Sequence, residues 1–131
     1  MKRVLYWLLL GYLLLIPVFF LQRAYTLYVS PNDFFTTLDM TNPDAWLAVK
    51  TLAARHMAYC FIILVGVLTR RKPLLLTALS MIILVSVQDG LILFNNPFVE
   101  ASERLNAASI ELFNILLLTP AMFFVNKMDL K

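Results

Sequence analysis

The sequence contains a single cysteine, Cys60, and a single histidine, His56, among 131 residues. One cysteine cannot close a disulfide within the chain, and it excludes membrane oxidoreductases that work through a Cys-x-x-Cys pair. One histidine does not supply the several His, Cys or carboxylate ligands that a metal site needs, so no metal is predicted. No nucleophile elbow, phosphate-binding loop or other catalytic motif occurs, and no cofactor is predicted.

Charge is also scarce. Charged residues make up 15% of the chain, against about 25% in a typical soluble domain, whereas hydrophobic residues make up 61%. The apolar residues fall in long uninterrupted runs, which is typical of membrane-spanning helices rather than of an enlarged soluble core. The net charge of +3 is modest, and the basic residues stand at the ends of the runs. This pattern favours membrane lipids as partners and argues against nucleic-acid binding.

Four apolar runs predict one integral membrane domain over residues 1–131, with spans at about 4–21, 46–69, 73–94 and 106–125. The first run is long for a signal peptide and no small-x-small cleavage site follows it, so it is predicted to be a transmembrane helix. Residues 22–45 are predicted to form a long extracytoplasmic loop. Within that loop, Thr41-Asn42-Pro43-Asp44 is typical of a helix N-cap followed by proline at the first helical position.

Basic residues predict the orientation of the chain. Those on one side of the predicted membrane are Lys2, Arg3, Arg70, Arg71, Lys72, Lys127 and Lys131. Those on the other side are Arg23 and Arg104. The positive-inside rule therefore predicts an all-α, four-transmembrane-helix bundle in the cell membrane, with the N and C termini both cytoplasmic.

Three ionisable residues lie inside predicted spans at nearly the same depth. Counted at about 1.5 Å per residue from the basic ends, Arg55, Asp89 and Glu111 stand roughly 22, 25 and 24 Å above the inner boundary. In a hydrocarbon core about 30 Å thick, this depth is the outer third. An ionisable group costs several kcal/mol there unless it is paired or hydrated, and a guanidinium can bind a carboxylate through two hydrogen bonds. Arg55 is therefore predicted to pair with Asp89, Glu111 or both.

Further polar residues reach this layer at the same depth or on a shared helical face. Together with the three ionisable residues they form the set of ligand-pocket candidates: Arg55, His56, Gln88, Asp89, Glu111, Asn114, Tyr59 and Thr51. Three aromatic residues of the long loop are candidates for a lid over the pocket: Tyr25, Phe34 and Phe35. For Phe34 and Phe35 the alternative is that they anchor the loop in the interfacial layer.

Three short motifs lie in order along residues 46–94. Ala54-Arg55-His56 is followed by apolar residues, Arg70-Arg71-Lys72 forms a basic turn, and Gln88-Asp89-Gly90 closes the third run. In these features the chain resembles the DoxX-like family of small four-helix integral membrane proteins. The resemblance implies a four-helix bundle with a pocket near the outer leaflet. Some members of the family are accessory subunits linked to quinol or sulfur redox chemistry.

Several functions remain open at this point. In the first, the outer-leaflet pocket binds a small amphipathic ligand, lipid or quinone-like, in a protein that acts alone or as an accessory subunit. In the second, the Arg55, Asp89 and Glu111 cluster is only an interhelical clamp in a structural or assembly subunit. In the third, the same groups perform proton transfer in a membrane-embedded enzyme. A homodimer or a larger membrane complex is compatible with each of these. A carrier is disfavoured by the small number of spans and the lack of an inverted repeat.

Overall fold

The computed structural model describes residues 2–33, 39–95, 101–128 and 130, and all regular secondary structure in these ranges is helical. The four long helices are α1 (Lys2–Val29), α2 (Pro43–Thr69), α3 (Lys72–Phe94) and α4 (Ala101–Lys127), and a short 3₁₀ helix, Pro31–Asp33, follows α1. Each long helix contains a segment that is long and apolar enough to cross a membrane: Tyr6–Val29, Pro43–Thr69, Lys72–Phe94 and Arg104–Lys127. The predicted all-α fold with four membrane-length helices is confirmed.

The predicted loop at 22–45 is wrong at both of its ends. Residues 22–29 continue α1, and residues 43–45 already belong to α2. The helix continues past Arg23 because the apolar face of α1 also continues, with Ala24 and Leu27 both buried. Arg23 does not end the helix, because the aliphatic part of an arginine side chain can pack along an apolar surface while its charged end reaches more polar surroundings. The other end of the chain shows a similar difference, because α4 begins at Ala101 rather than at about residue 106.

The start of α2 follows from local hydrogen bonding. The Asn42 side-chain oxygen accepts a hydrogen bond from the Asp44 N–H at 2.9 Å, and Pro43 occupies the first helical position. This confirms the predicted N-cap. Just before it, the Asp39 carboxylate accepts hydrogen bonds from the Thr41 hydroxyl at 2.6 Å and from the Thr41 N–H at 2.9 Å. These bonds, the hydroxyl one first, hold the pKa of the Asp39 carboxyl below its ordinary value.

The described residues form two compact units, one within Met1–Thr69 and one within Arg70–Lys131. In the first unit, the first hairpin, α1 packs against α2. Its buried side chains recur every three or four residues on each helix, which is the spacing of one helical face. On α1 they include Leu13, Ile16, Phe20, Ala24 and Leu27, and on α2 they include Val49, Ala53, His56, Ile63 and Val67.

In the second unit, the second hairpin, α3 packs against α4. Two hydrogen bonds fix the antiparallel register: the Lys72 ammonium donates to the Asn126 carbonyl at 2.7 Å, and the Ser80 hydroxyl donates to the Met122 sulfur at 3.3 Å. The buried residues of α3 are Leu75, Ala78, Leu79, Ile82 and Ser86. Those of α4 include Glu111, Asn114, Leu118, Ala121 and Val125. The association of the two hairpins into one four-helix bundle stays a prediction.

Candidate functional site

The first hairpin holds a group of basic and aromatic side chains, which we call the basic–aromatic cluster: Phe20 and Arg23 on α1, and Arg55, His56 and Tyr59 on α2. The Phe20 ring centroid lies 5.6 Å from that of His56 and 5.6 Å from that of Tyr59. The His56 and Tyr59 rings are 6.0 Å apart. These separations are in the range at which aromatic rings attract one another. The structure thus brings two predicted site residues together around a phenylalanine.

The orientation of His56 is set by its own helix. Its Nδ1 lies 2.8 Å from the Leu52 carbonyl oxygen, one turn earlier in α2. Because a carbonyl oxygen can only accept, Nδ1 carries the proton in this hydrogen bond. The ring is also buried, with 3% of its surface exposed, and packs against Phe20 and Tyr59. The backbone therefore fixes the plane and the tautomer of the imidazole within the cluster.

Arg23 belongs to this cluster, although sequence analysis placed it in the outer loop. It lies in α1 and is 7% exposed, and its guanidinium carbon stands 5.7 Å from the centroid of the Phe19 ring. Two missed residues, Phe20 and Arg23, continue the three-to-four-residue spacing of the buried face of α1. The signal that identifies them is this spacing, followed along α1 through Phe20 and on to Arg23, two residues past the predicted end of the run.

Arg23 and Arg55 lie at about the same level of the first hairpin. Tyr28 on α1 lies opposite Lys50 on α2, whose ammonium donates to the Tyr28 carbonyl. About two turns further along the two helices, Phe20 lies opposite His56. Arg23 lies between Tyr28 and Phe20 on its helix, and Arg55 occupies the corresponding interval of α2. The backbone positions of two arginines therefore lie in one layer of this hairpin.

Thr51, a predicted pocket residue on the same helix, is exposed. Its hydroxyl donates to the Leu47 carbonyl of its own helix at 2.8 Å, which is a common conformation of helical threonine. Its position contrasts with that of Tyr59, which lies half-buried within the cluster. Of the predicted α2 residues, the structure thus brings His56 and Tyr59 together around Phe20, leaves Arg55 half-buried beside them in the chain, and leaves Thr51 exposed.

Exposed aromatic side chains mark both ends of the first hairpin. Trp7 lies near one end, and Tyr25, Tyr28 and Trp46 lie at the other, each with more than half of its surface exposed. The Lys50 ammonium stands 4.2 Å from the Tyr28 ring centroid and 5.7 Å from that of Trp46. At 1.5 Å per residue, Trp7 and Tyr28 are about 32 Å apart along α1, close to the thickness of a hydrocarbon core. Arg23 lies about 8 Å inside the second aromatic end on the same scale.

The predicted loop lid is corrected in one respect. Tyr25 is a residue of α1, not of a loop, because the helix continues to Val29. Its side chain is exposed and belongs to the aromatic end of the hairpin. Phe34 and Phe35 lie outside the described residues.

The second hairpin holds a separate polar group. The Asn114 side-chain amide donates to a Glu111 carboxylate oxygen at 2.8 Å, as expected of residues three apart on one helical face. Both side chains are buried. A side chain built on Gly90 of α3 would meet the Glu111 Cβ at 3.5 Å, so the two helices approach closely there. Asp89, the neighbour of Gly90, therefore lies at the level of Glu111.

Other predicted residues of this hairpin are less enclosed. Gln88 is exposed and Asp89 is half-buried, whereas Ser86, which sequence analysis did not select, is buried on α3. The predicted pairing of Arg55 with Asp89 or Glu111 joins residues of the two units and stays a prediction. Within the described ranges, no three His, Cys, Asp or Glu side chains are grouped so as to hold a metal ion. No protein-family model, curated protein or solved structure matches this chain.

Proposed function

We propose that this chain is a small multi-pass protein of the cell membrane whose basic–aromatic cluster binds the polar end of an amphipathic molecule, lipid or quinone-like, in the outer leaflet. One observation carries the proposal. Arg23 and His56 are buried in a hairpin of membrane-length helices, and Arg55 lies at the level of Arg23. Ionisable groups at such depth are costly, and they mark functional sites by default.

The chemistry of the cluster supports this class of ligand. A guanidinium binds carbonyl, carboxylate or phosphate oxygens through directed hydrogen bonds. The rings of Phe20 and Tyr59 supply the apolar surface that small-molecule sites place around a few polar groups. Arg23 and Phe20 lie about 8 and about 12 Å inside an exposed aromatic end, so the oxygen-bearing end of an amphipath would reach them from the interfacial layer.

The proposal also includes the predicted arrangement of the whole chain: a four-helix bundle with both termini in the cytoplasm. The clustering of basic residues at the connection between α2 and α3 supports this orientation. The DoxX-like resemblance is part of the same proposal. Arg55 lies in the first half of α2 and Asp89 lies near the end of α3, which agrees with the motifs that carry the resemblance. A role as an accessory subunit of a membrane complex follows from that resemblance alone.

The test is to identify what copurifies with the protein. Native mass spectrometry and lipid extraction of protein purified in mild detergent would be compared for wild type, Arg55→Ala and Arg23→Ala. We expect a bound amphipath in the wild type and at least a tenfold loss of it in both variants, because each removes one arginine of the shared layer.

Arg104→Ala is the matched control for this experiment. It also removes one arginine, but from the start of α4 and outside the cluster. We expect it to retain the wild-type amount of ligand. Unchanged copurification in Arg55→Ala and Arg23→Ala, with wild-type helicity by circular dichroism, would reject the proposal.

A structural role is the second candidate, and the second hairpin favours it. There the buried Glu111 bonds to Asn114, and Glu111 packs where Gly90 lets the helices approach. Buried polar groups used in this way hold helices together without any ligand. If this role is the whole function, Glu111→Gln would lower thermal stability while the wild-type protein carries no specific small molecule at all.

A further inference from the structure

The second hairpin begins with a basic turn. Arg70 has a backbone φ of 53°, in the left-handed region, and Arg71 is extended with φ −87° and ψ 101°. The helix α3 starts at Lys72 with Pro73 in its first turn. Both arginine side chains are exposed. Lys72, by contrast, donates to the Asn126 carbonyl and so holds the end of α4.

A cavity of about 540 Å³ lies beside this turn, lined by Arg71, Pro73, Leu74 and Thr77. Its lining changes in character along the helix. Most of the lining surface is apolar, with Pro73 and Leu74 as its wall, while Arg71 stands at one end and Thr77 about 9 Å further along the axis. A charged end, an apolar wall and a hydrogen-bond donor at this spacing match an amphipathic anion rather than a small inorganic one.

The hydroxyl of Thr77 has no hydrogen-bond partner among the described residues. Other threonine hydroxyls in the helices donate to the carbonyl four residues earlier: those of Thr26, Thr51, Thr69 and Thr119. Helical threonine ordinarily makes that bond. Thr77 therefore presents to the cavity a donor that its own helix does not use.

We infer that this cavity binds an anionic phospholipid. The phosphate accepts hydrogen bonds from the Arg71 guanidinium, the glycerol backbone packs on Pro73 and Leu74, and Thr77 donates to an ester carbonyl, beyond which the acyl chain continues along α3. Arg70 adds positive potential at this end of the hairpin. The site includes no residue of the basic–aromatic cluster, so a test of this site can fail without bearing on the proposed function, and the reverse is also true.

The experiment compares the retention of two lipids with identical dioleoyl chains. Full-length protein in detergent is titrated with phosphatidylglycerol or with phosphatidylcholine, and bound lipid is counted by native mass spectrometry. We expect the wild type to bind phosphatidylglycerol at least fivefold more tightly than phosphatidylcholine. Arg71→Gln should weaken phosphatidylglycerol binding by about fivefold, the usual effect of one basic residue near a lipid headgroup. Thr77→Val should weaken it by about twofold.

Lys127→Gln is the matched control, because it removes one positive charge from the same end of the hairpin but does not line the cavity. We expect its binding to stay within twofold of wild type. An equal loss in Arg71→Gln and Lys127→Gln would overturn the proposal in favour of diffuse surface charge. Displacement of the lipid by excess inorganic phosphate would overturn it in favour of a site for free phosphate.

Arg71→Lys provides a second variant if Arg71→Gln fails to fold, and we expect intermediate binding because it keeps the charge and loses the planar fork.

Discussion

His56 is the most enclosed ionisable side chain of the basic–aromatic cluster. Its contacts show how its ring and its hydrogen bond each contribute to the stability of the hairpin. Its ring packs on Phe20 and Tyr59, and its Nδ1–H is bonded to the Leu52 carbonyl. Any aromatic ring can pack against Phe20 and Tyr59, whereas only an imidazole can also donate the hydrogen bond to the Leu52 carbonyl. Substitutions can therefore separate the two contributions.

We predict that His56→Ala lowers the free energy of unfolding by about 2–4 kcal/mol, because it leaves a cavity beside two aromatic rings. His56→Phe should cost less than half as much, since it keeps a ring of similar volume. Thermal unfolding in detergent, followed by circular dichroism, measures both. Thr51→Ala, an exposed change one turn away, is the control and should lie within about 0.5 kcal/mol of wild type. Equal loss in His56→Ala and His56→Phe would show that the imidazole itself holds the hairpin together.

At the scale of the helix, glycine decides how closely α3 and α4 approach. Gly90 faces the Cβ of Glu111 across the second hairpin, and a Cβ added at Gly90 would meet it at 3.5 Å, an ordinary van der Waals contact. One methyl group therefore fits at this position, but a longer side chain does not. Gly11 on α1 offers the contrasting case, because nothing in the described structure lies within 4 Å of a Cβ placed there.

We predict that Gly90→Ala is neutral or stabilises the protein by up to about 1 kcal/mol, through the higher helix propensity of alanine. Gly90→Leu should destabilise it by about 1–3 kcal/mol, because the larger side chain overpacks against Glu111. The same substitution at the open position, Gly11→Leu, is the matched control and should not lower the unfolding temperature, because nothing lies within 4 Å of a Cβ there. Tolerance of Gly90→Leu would contradict the close approach of the two helices.

At the scale of the whole molecule, the property to test is the orientation of the chain across the membrane. We predict that a single cysteine at Asp39, in a Cys60→Ser background, reacts with a membrane-impermeant maleimide in intact cells. A cysteine at Leu130 should react only after the cells are opened, because the orientation that we propose from the basic residues puts this end in the cytoplasm. Gel shift of the labelled protein measures both. Labelling of Leu130→Cys in intact cells would reverse the proposed orientation.

Hydropathy predicted the number and approximate position of the helices, but it did not predict the end of α1 or the contacts between helices. The four apolar runs predicted four helices because backbone groups in lipid must be hydrogen-bonded internally. The bond between Asn114 and Glu111 followed from their spacing on one helix. The end of α1 was placed too early because Arg23 interrupts the apolar run, although the buried face continues through Leu27. The contact of Phe20 with His56 depends on the register of two helices, which no local pattern specifies.

The two aromatic ends of the first hairpin have a consequence for where the protein can reside. They are about 32 Å apart along α1, so the apolar surface between them matches a hydrocarbon core of about that thickness. In a bilayer with a thinner hydrocarbon core, either the hairpin tilts or the lipid around it stretches, at a cost of a fraction of a kcal/mol for each ångström of mismatch. The protein thereby carries its own preference among membranes of different thickness, independent of any ligand.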